Sequence, residues 1–183
     1  MAGRVAVSDE HSELICRARQ GDLEAFEQMM RAHDRQVYRV ALRLLGSAED
    51  AQDVAQEVFL RLHRSLHRID ADRALGAWLY RVTVNICRDT LRARRTTQPI
   101  EEATAFSLEA TPHVESERRE THRLVEKALA RLPEKERAAI VLREIEGLTT
   151  SEVAGVLGSS EGTVRAQISM ARTKLRKWLK RLI

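Results

Sequence analysis

Seven basic residues stand between Gly162 and Ile183 with no acidic residue among them: Arg165, Arg172, Lys174, Arg176, Lys177, Lys180 and Arg181. Cations at this density attract the phosphates of a nucleic-acid duplex. A second cluster holds Trp78, Tyr80, Arg81, Asn85, Arg88 and Arg92 and runs out into Arg94 and Arg95. Cations for phosphate, rings for stacking and an amide for base edges equip a surface for single-stranded nucleic acid. The rings could equally pack inward, so Trp78 reads as partly structural and Asn85 as functional. A third group, Asp50, Asp53, Gln56 and Glu57, shares one polar helix face, which periodicity alone makes a solvated surface.

Other chemistries find little support. The chain has no phosphate-binding glycine loop and no residues spaced as a catalytic triad, so no catalytic residue and no cofactor are expected. His63 and His67 could share a helix face, but Arg61, Arg64 and Arg68 around them repel a cation, and no metal site is expected. Cys16 and Cys87 lie far apart without CxxC spacing and read as reduced thiols.

Groups of this kind need helices to hold them in line. The 183-residue chain is 43% hydrophobic, 32% charged and only 4% aromatic, with little of the β-branched and aromatic alternation that strands need. The expectation is all-α. No run approaches the length of a membrane span, and the N-terminus has acids where a signal peptide has an apolar core. A cytoplasmic protein without membrane insertion of its own is expected.

In chain order, residues 12 to 19 read as a helix that ends at Gly21-Asp22. A second runs to Leu45 with Leu23, Phe26, Met29, Met30, Val37, Val40, Ala41 and Leu44 inward, and Gly46 ends it. Ser47 and Asp50 cap a third, Ala48 to about Leu66, which buries Ala51, Val54, Ala55, Val58 and Leu62. A polar loop from His67 to Asp72 leads to a fourth, Leu75 to Arg95, packed through Leu75, Leu79, Val82, Ile86 and Leu91. Thr96 to Ser116, with Pro99, Pro112, Glu101, Glu102 and Glu109, breaks every period and reads as a flexible acidic linker. A helix from about Glu117 to Leu132 buries Leu124, Val125, Ala128 and Leu129. Pro133 takes the first helical position of the next, whose Ile140, Val141 and Ile145 face inward before Gly147 stops it.

Local signals agree most closely from Leu148 to Leu175. Thr149 and Glu152 form a capping box, and Val153, Ala154, Val156 and Leu157 make the apolar face of a short helix. Gly158 turns the chain, and Ser159 or Ser160 caps a second helix that buries Val164, Ile168, Ala171 and Leu175. This is a helix-turn-helix, whose second helix enters the major groove. The chain thus divides into two small helical domains, 1–95 and 117–183, joined by the linker 96–116. Charge follows the division. Residues 1 to 95 carry 16 basic and 14 acidic groups, residues 96 to 122 carry 2 and 6, and residues 123 to 183 carry 13 and 7. Basic ends around an acidic middle suggest two nucleic-acid-facing domains and a connector with another task.

Four motifs in this order, AEDAQDVAQEVFLRL at Ala48, WLYRVTVNICRDTLR at Trp78, LARLPEKERAAIVLREIEGLT at Leu129 and SEVAGVLGSSEGTVRAQISMARTKLR at Ser151, resemble the extracytoplasmic-function sigma factors of bacterial RNA polymerase. The resemblance implies that Asp53, Gln56 and Glu57 dock on core polymerase. It implies that Ile69, Trp78, Arg81, Asn85, Arg88 and Arg92 capture the minus-ten promoter element, with Asn85 lining a pocket for a flipped base and Ile69 where many relatives carry an aromatic residue. It assigns Thr163, Arg165, Ala166, Gln167, Ser169 and Arg172 to the minus-thirty-five element. Ala166, Ser169 and Met170 stand where relatives often carry serine, a larger ring and arginine. A separate anti-sigma protein is a further implied partner. The rival readings are a helix-turn-helix regulator acting at an operator without joining polymerase, and a helical adaptor for acidic proteins.

Overall fold

The computed structural model describes residues 12–69, 75–97 and 124–180, and these are helical with no strand among them. Helix α1 spans 12–19. Asp22 then caps α2 (Leu23–Leu45) by accepting from the Ala25 N–H, and Gly46, at φ 71°, closes it by donating to Leu42 O. Ser47 accepts from the Asp50 N–H to start α3 (Ala48–Ser65), which passes into a 3-10 turn, Leu66–Arg68. Helix α4 is Leu75–Thr97, two residues longer than its sequence pattern suggested. Residues 124–130 form α5, the described part of the helix expected from Glu117. Helix α6 (Glu134–Ile140) continues as a π-turn, Val141–Ile145, and α7 (Thr150–Leu157) and α8 (Glu161–Leu179) complete the fold. Asp70 to Asp72, most of the linker, Glu117 and Arg181 lie outside the described residues.

Helices α2, α3 and α4 pack on one another around Met29, Val40, Val58, Leu62 and Leu79, each at most 1% exposed. Helices α6, α7 and α8 pack around Val141, Leu142, Val153 and Val164, which are fully buried. The helix-turn-helix follows its local signals closely. Thr149 and Glu152 make the reciprocal capping box, Gly158 is left-handed at φ 62°, and Ser160 accepts from the Thr163 N–H.

The two helical groups also pack on each other. Helix α4 runs against α7, and α2 against α6 and the π-turn. Leu44, Val84, Cys87 and Leu91 meet Ala138 with almost no space between them.

Several expected inward residues face out. Leu23 is 74% exposed because it is the first residue of α2, beyond the reach of α3. Leu124 and Val125 are exposed at the start of the described part of α5. Ile145 is 38% exposed because the π-turn adds a residue to the turn and rotates the helix register, so that Glu146 turns inward in its place. On α4, Val82 and Leu91 are only half-buried, whereas Thr83, Val84 and Cys87 are buried. Helix α4 is covered on two sides, by α2 and α3 and by α7, and a single stripe cannot describe that surface. Thr83 is satisfied by donating to Leu79 O at 2.8 Å. Pro133 is the N-cap of α6 with extended ψ, not its first helical residue.

Candidate nucleic-acid interface

Trp78, Arg81, Asn85, Arg88 and Arg92 follow one another at alternate steps of three and four, so they form one stripe along α4, opposite Leu79 and Ile86. Arg81, Asn85 and Arg92 are exposed, and Trp78 and Arg88 half-buried. Arg81 donates to Gly155 O of α7 at 3.1 Å. Arg88 donates to Glu134 of α6 at 3.1 Å. Arg94 is drawn aside into an ion pair with Asp50, so neither belongs to the open face it was grouped with in the sequence. Ile69 is only 5% exposed, and its carbonyl receives a hydrogen bond from Arg19. The side chain of Ile69 therefore lies in the core rather than on the stripe.

A second site is built on α8. Arg143, Thr150, Arg165, Arg172, Thr173 and Arg176 line an open cleft of about 380 Å³, which gathers four guanidinium groups. Arg165 is held by Glu161, one turn earlier, at 3.1 Å, and Arg172 by Glu144 at 2.7 Å. Both pairs are exposed and cheap to exchange for phosphate. Ser169 is exposed in the same cleft and Ala166 is exposed on α8, whereas Thr163, also exposed, lines the groove on the other side of the helix. Gln167 sits differently. It is half-buried toward the seam with α4, with its Oε1 buried and unpaired in a groove that Met170 and Arg88 also line. The sequence reading missed Arg143 and Arg176 as members of the cleft. Arg176 was legible, lying one turn beyond Arg172. Arg143 comes from the π-turn, whose Glu144 is tied to α8 by its pair with Arg172.

The third group lies on α3. Asp53 and Gln56 are exposed, and Glu57 is half-buried and paired with Arg61 at 2.7 Å. These three lie on the side of α3 opposite its buried Val54, Ala55 and Val58. His63 stacks edge-on against Phe26 at 5.1 Å, while His67 accepts from Arg68. Cys16 is exposed and Cys87 buried, and burial pushes the Cys87 thiol up to about 12.

Among the described residues no helix is long and apolar enough to cross a membrane.

The comparisons with known proteins agree on both halves. Residues 29–97 match the family model for Sigma-70 region 2, and residues 122–175 match that for Sigma-70 region 4. The chain is 36% identical over 179 residues to the ECF RNA polymerase sigma factor SigM of Mycobacterium tuberculosis, covering 97% of this chain and 87% of that protein. Among solved structures it is similar to CnrH in complex with the cytosolic domain of CnrY, at TM-score 0.71 and 30% identity, covering 93% of this chain and 97% of that one. The fold is also that of the sigma factor RpoE in complex with the anti-sigma factor NepR from Bartonella quintana. There the TM-score is 0.71 and the identity 23%, over 85% of this chain and 96% of that one.

Proposed function

The chain belongs to the extracytoplasmic-function group of sigma-70 RNA polymerase sigma factors, and from that premise we propose how its surfaces divide the work. It binds core RNA polymerase and directs transcription from promoters. It regulates transcription and, in our reading, performs no catalysis of its own. We assign it to the cytoplasm, to a stress or envelope response, and to control by a separate anti-sigma protein.

In this reading residues 1–95 and 117–183 are the two working domains, and 96–116 connects them. Asp53, Gln56 and Glu57 dock on the polymerase. The stripe of Trp78, Arg81, Asn85, Arg88 and Arg92, next to Ile69, captures the unpaired minus-ten strand, with Asn85 at a base edge. Thr163, Arg165, Ala166, Gln167, Ser169 and Arg172 address the minus-thirty-five duplex, with Arg143 and Arg176 adding phosphate contacts. Duplex binding by α8 sets position, and trapping bases on α4 offsets the few kcal/mol needed to unstack them, so melting requires no ATP.

The observation that carries this assignment is the five-residue stripe on α4, which mixes cations, a ring and an amide on one face. An operator-binding regulator would need only the helix-turn-helix and leaves that stripe without a task. Run-off transcription with purified core polymerase on a genomic promoter library tests the proposal. New discrete starts that share a two-part upstream motif are expected. Retained DNA binding with no new starts would overturn it.

A further inference from the structure

Part of the α4 stripe is engaged by the C-terminal half in this structure, at Arg81 and Arg88, while Asn85 and Arg92 stay exposed. Arg81 spends a donor on Gly155 O, and Arg88 faces the Glu134 carboxylate. Nucleic acid cannot take those donors while α6 and α7 hold them. A phosphate approaching Arg88 would also meet Glu134.

One residue gathers two of the polar contacts across this seam. Glu146 follows the π-turn, and its side chain is only 6% exposed. One carboxylate oxygen accepts from Arg43 of α2 at 2.7 Å, and the other from the Tyr80 hydroxyl of α4 at 3.2 Å. A single carboxylate thus ties α2 and α4 to the C-terminal half. The remaining polar contacts are weaker or plainer. The Arg88–Glu134 pair is 39% and 24% exposed, so solvent screens it. Arg137 donates to Leu44 O at 2.6 Å, and the charge of Glu146 plays no part there. A groove of about 630 Å³ in the C-terminal half, between Glu134, Leu157 and Met170, reaches the seam at Arg88. A buried charge pair costs most when one partner is removed.

We propose that Glu146, bridging Arg43 and Tyr80, latches the chain in a closed form in which its own C-terminal half competes with single-stranded promoter DNA for the α4 stripe. The competition rests on the reading of α4 as the nucleic-acid face; the latch does not. In the closed form apparent affinity for a single strand is the intrinsic affinity reduced by the open fraction.

The test uses the full chain with Glu146→Gln, and with Arg43→Gln as a second release from the opposite side. Small-angle scattering reads compactness. Fluorescence anisotropy reads binding of a labelled, random-sequence single-stranded DNA of about 12 nucleotides. Either substitution should enlarge the radius of gyration and tighten binding about fivefold to tenfold. The double variant should gain no more than Glu146→Gln alone, since that substitution already removes the charge Arg43 pairs with. Adding Arg92→Ala, which lies on the stripe but outside the seam, should cancel the gain. Circular dichroism identifies a variant that fails to fold, in which case the other release decides. Variants as compact as the parent, or a parent already extended, would overturn the latch. A chain that expands without binding better, or whose gain survives Arg92→Ala, would overturn the competition and place the failure in the α4 reading.

Discussion

Arg165 shows how a residue can be visible in sequence while its working state is not. Its place in the first turns of a helix-turn-helix reading helix was legible from the capping serine and the apolar spacing behind it. The ion pair with Glu161 that holds it follows from the four-residue spacing between the two side chains. Because that pair is exposed, releasing it costs little. Arg165→Ala should therefore lose about 1–3 kcal/mol of binding to the preferred duplex if the guanidinium meets a base edge. Titration against the preferred and a scrambled duplex checks this, and an equal loss on both would make it a phosphate contact. Gln167 is the contrasting case. The family resemblance grouped it with Arg165, but burial of its Oε1 in the groove that Arg88 of α4 also lines is something no local pattern reports.

At the scale of elements, the helix-turn-helix was the most legible part of the chain, because each of its signals is local. Gly158 is the clearest. At φ 62° it occupies the left-handed region, yet a Cβ there would meet nothing within 4 Å, so substitution costs backbone strain alone. Gly158→Ala should destabilise the chain by about 1–2 kcal/mol. Gly155 lies inside α7 with the same empty surroundings and no positive φ, so Gly155→Ala should stabilise by about 0.5–1 kcal/mol. Thermal unfolding of the two variants checks the pair, and shifts of the same sign would refute it. The π-turn was not legible. Val141 to Ile145 reads as ordinary helix, and the extra residue in the turn follows from how α6 packs rather than from residue type.

At the scale of the whole molecule, the closed seam sets the pH behaviour. Burial, and then the neighbouring Glu146 charge, push the Tyr80 phenol up from 10.0 to about 12. A phenol held neutral by folding contributes stability that is fully present below its unfolded value near 10 and is lost as pH rises through about 12. Compactness by scattering should therefore hold at neutral pH and fall between about 10 and 12. Tyr80→Phe should remove that step, and a Tyr80 that ionises near 10 in the folded chain would contradict it. The sequence by itself determined what depends on near neighbours: the helices, their caps, the turn glycines, the α4 stripe and the basic face of α8. Each follows from hydrogen bonds and side-chain spacing within a turn or two. Tertiary structure alone decided which of those groups are occupied. Arg88 meeting Glu134, Arg43 and Tyr80 sharing Glu146, and Arg143 joining the α8 cleft are encounters between residues 28 or more positions apart or brought together by a packed turn. The physical reason is that periodicity reports which face of a helix is apolar, whereas the partner of a polar group depends on which helix packs beside it.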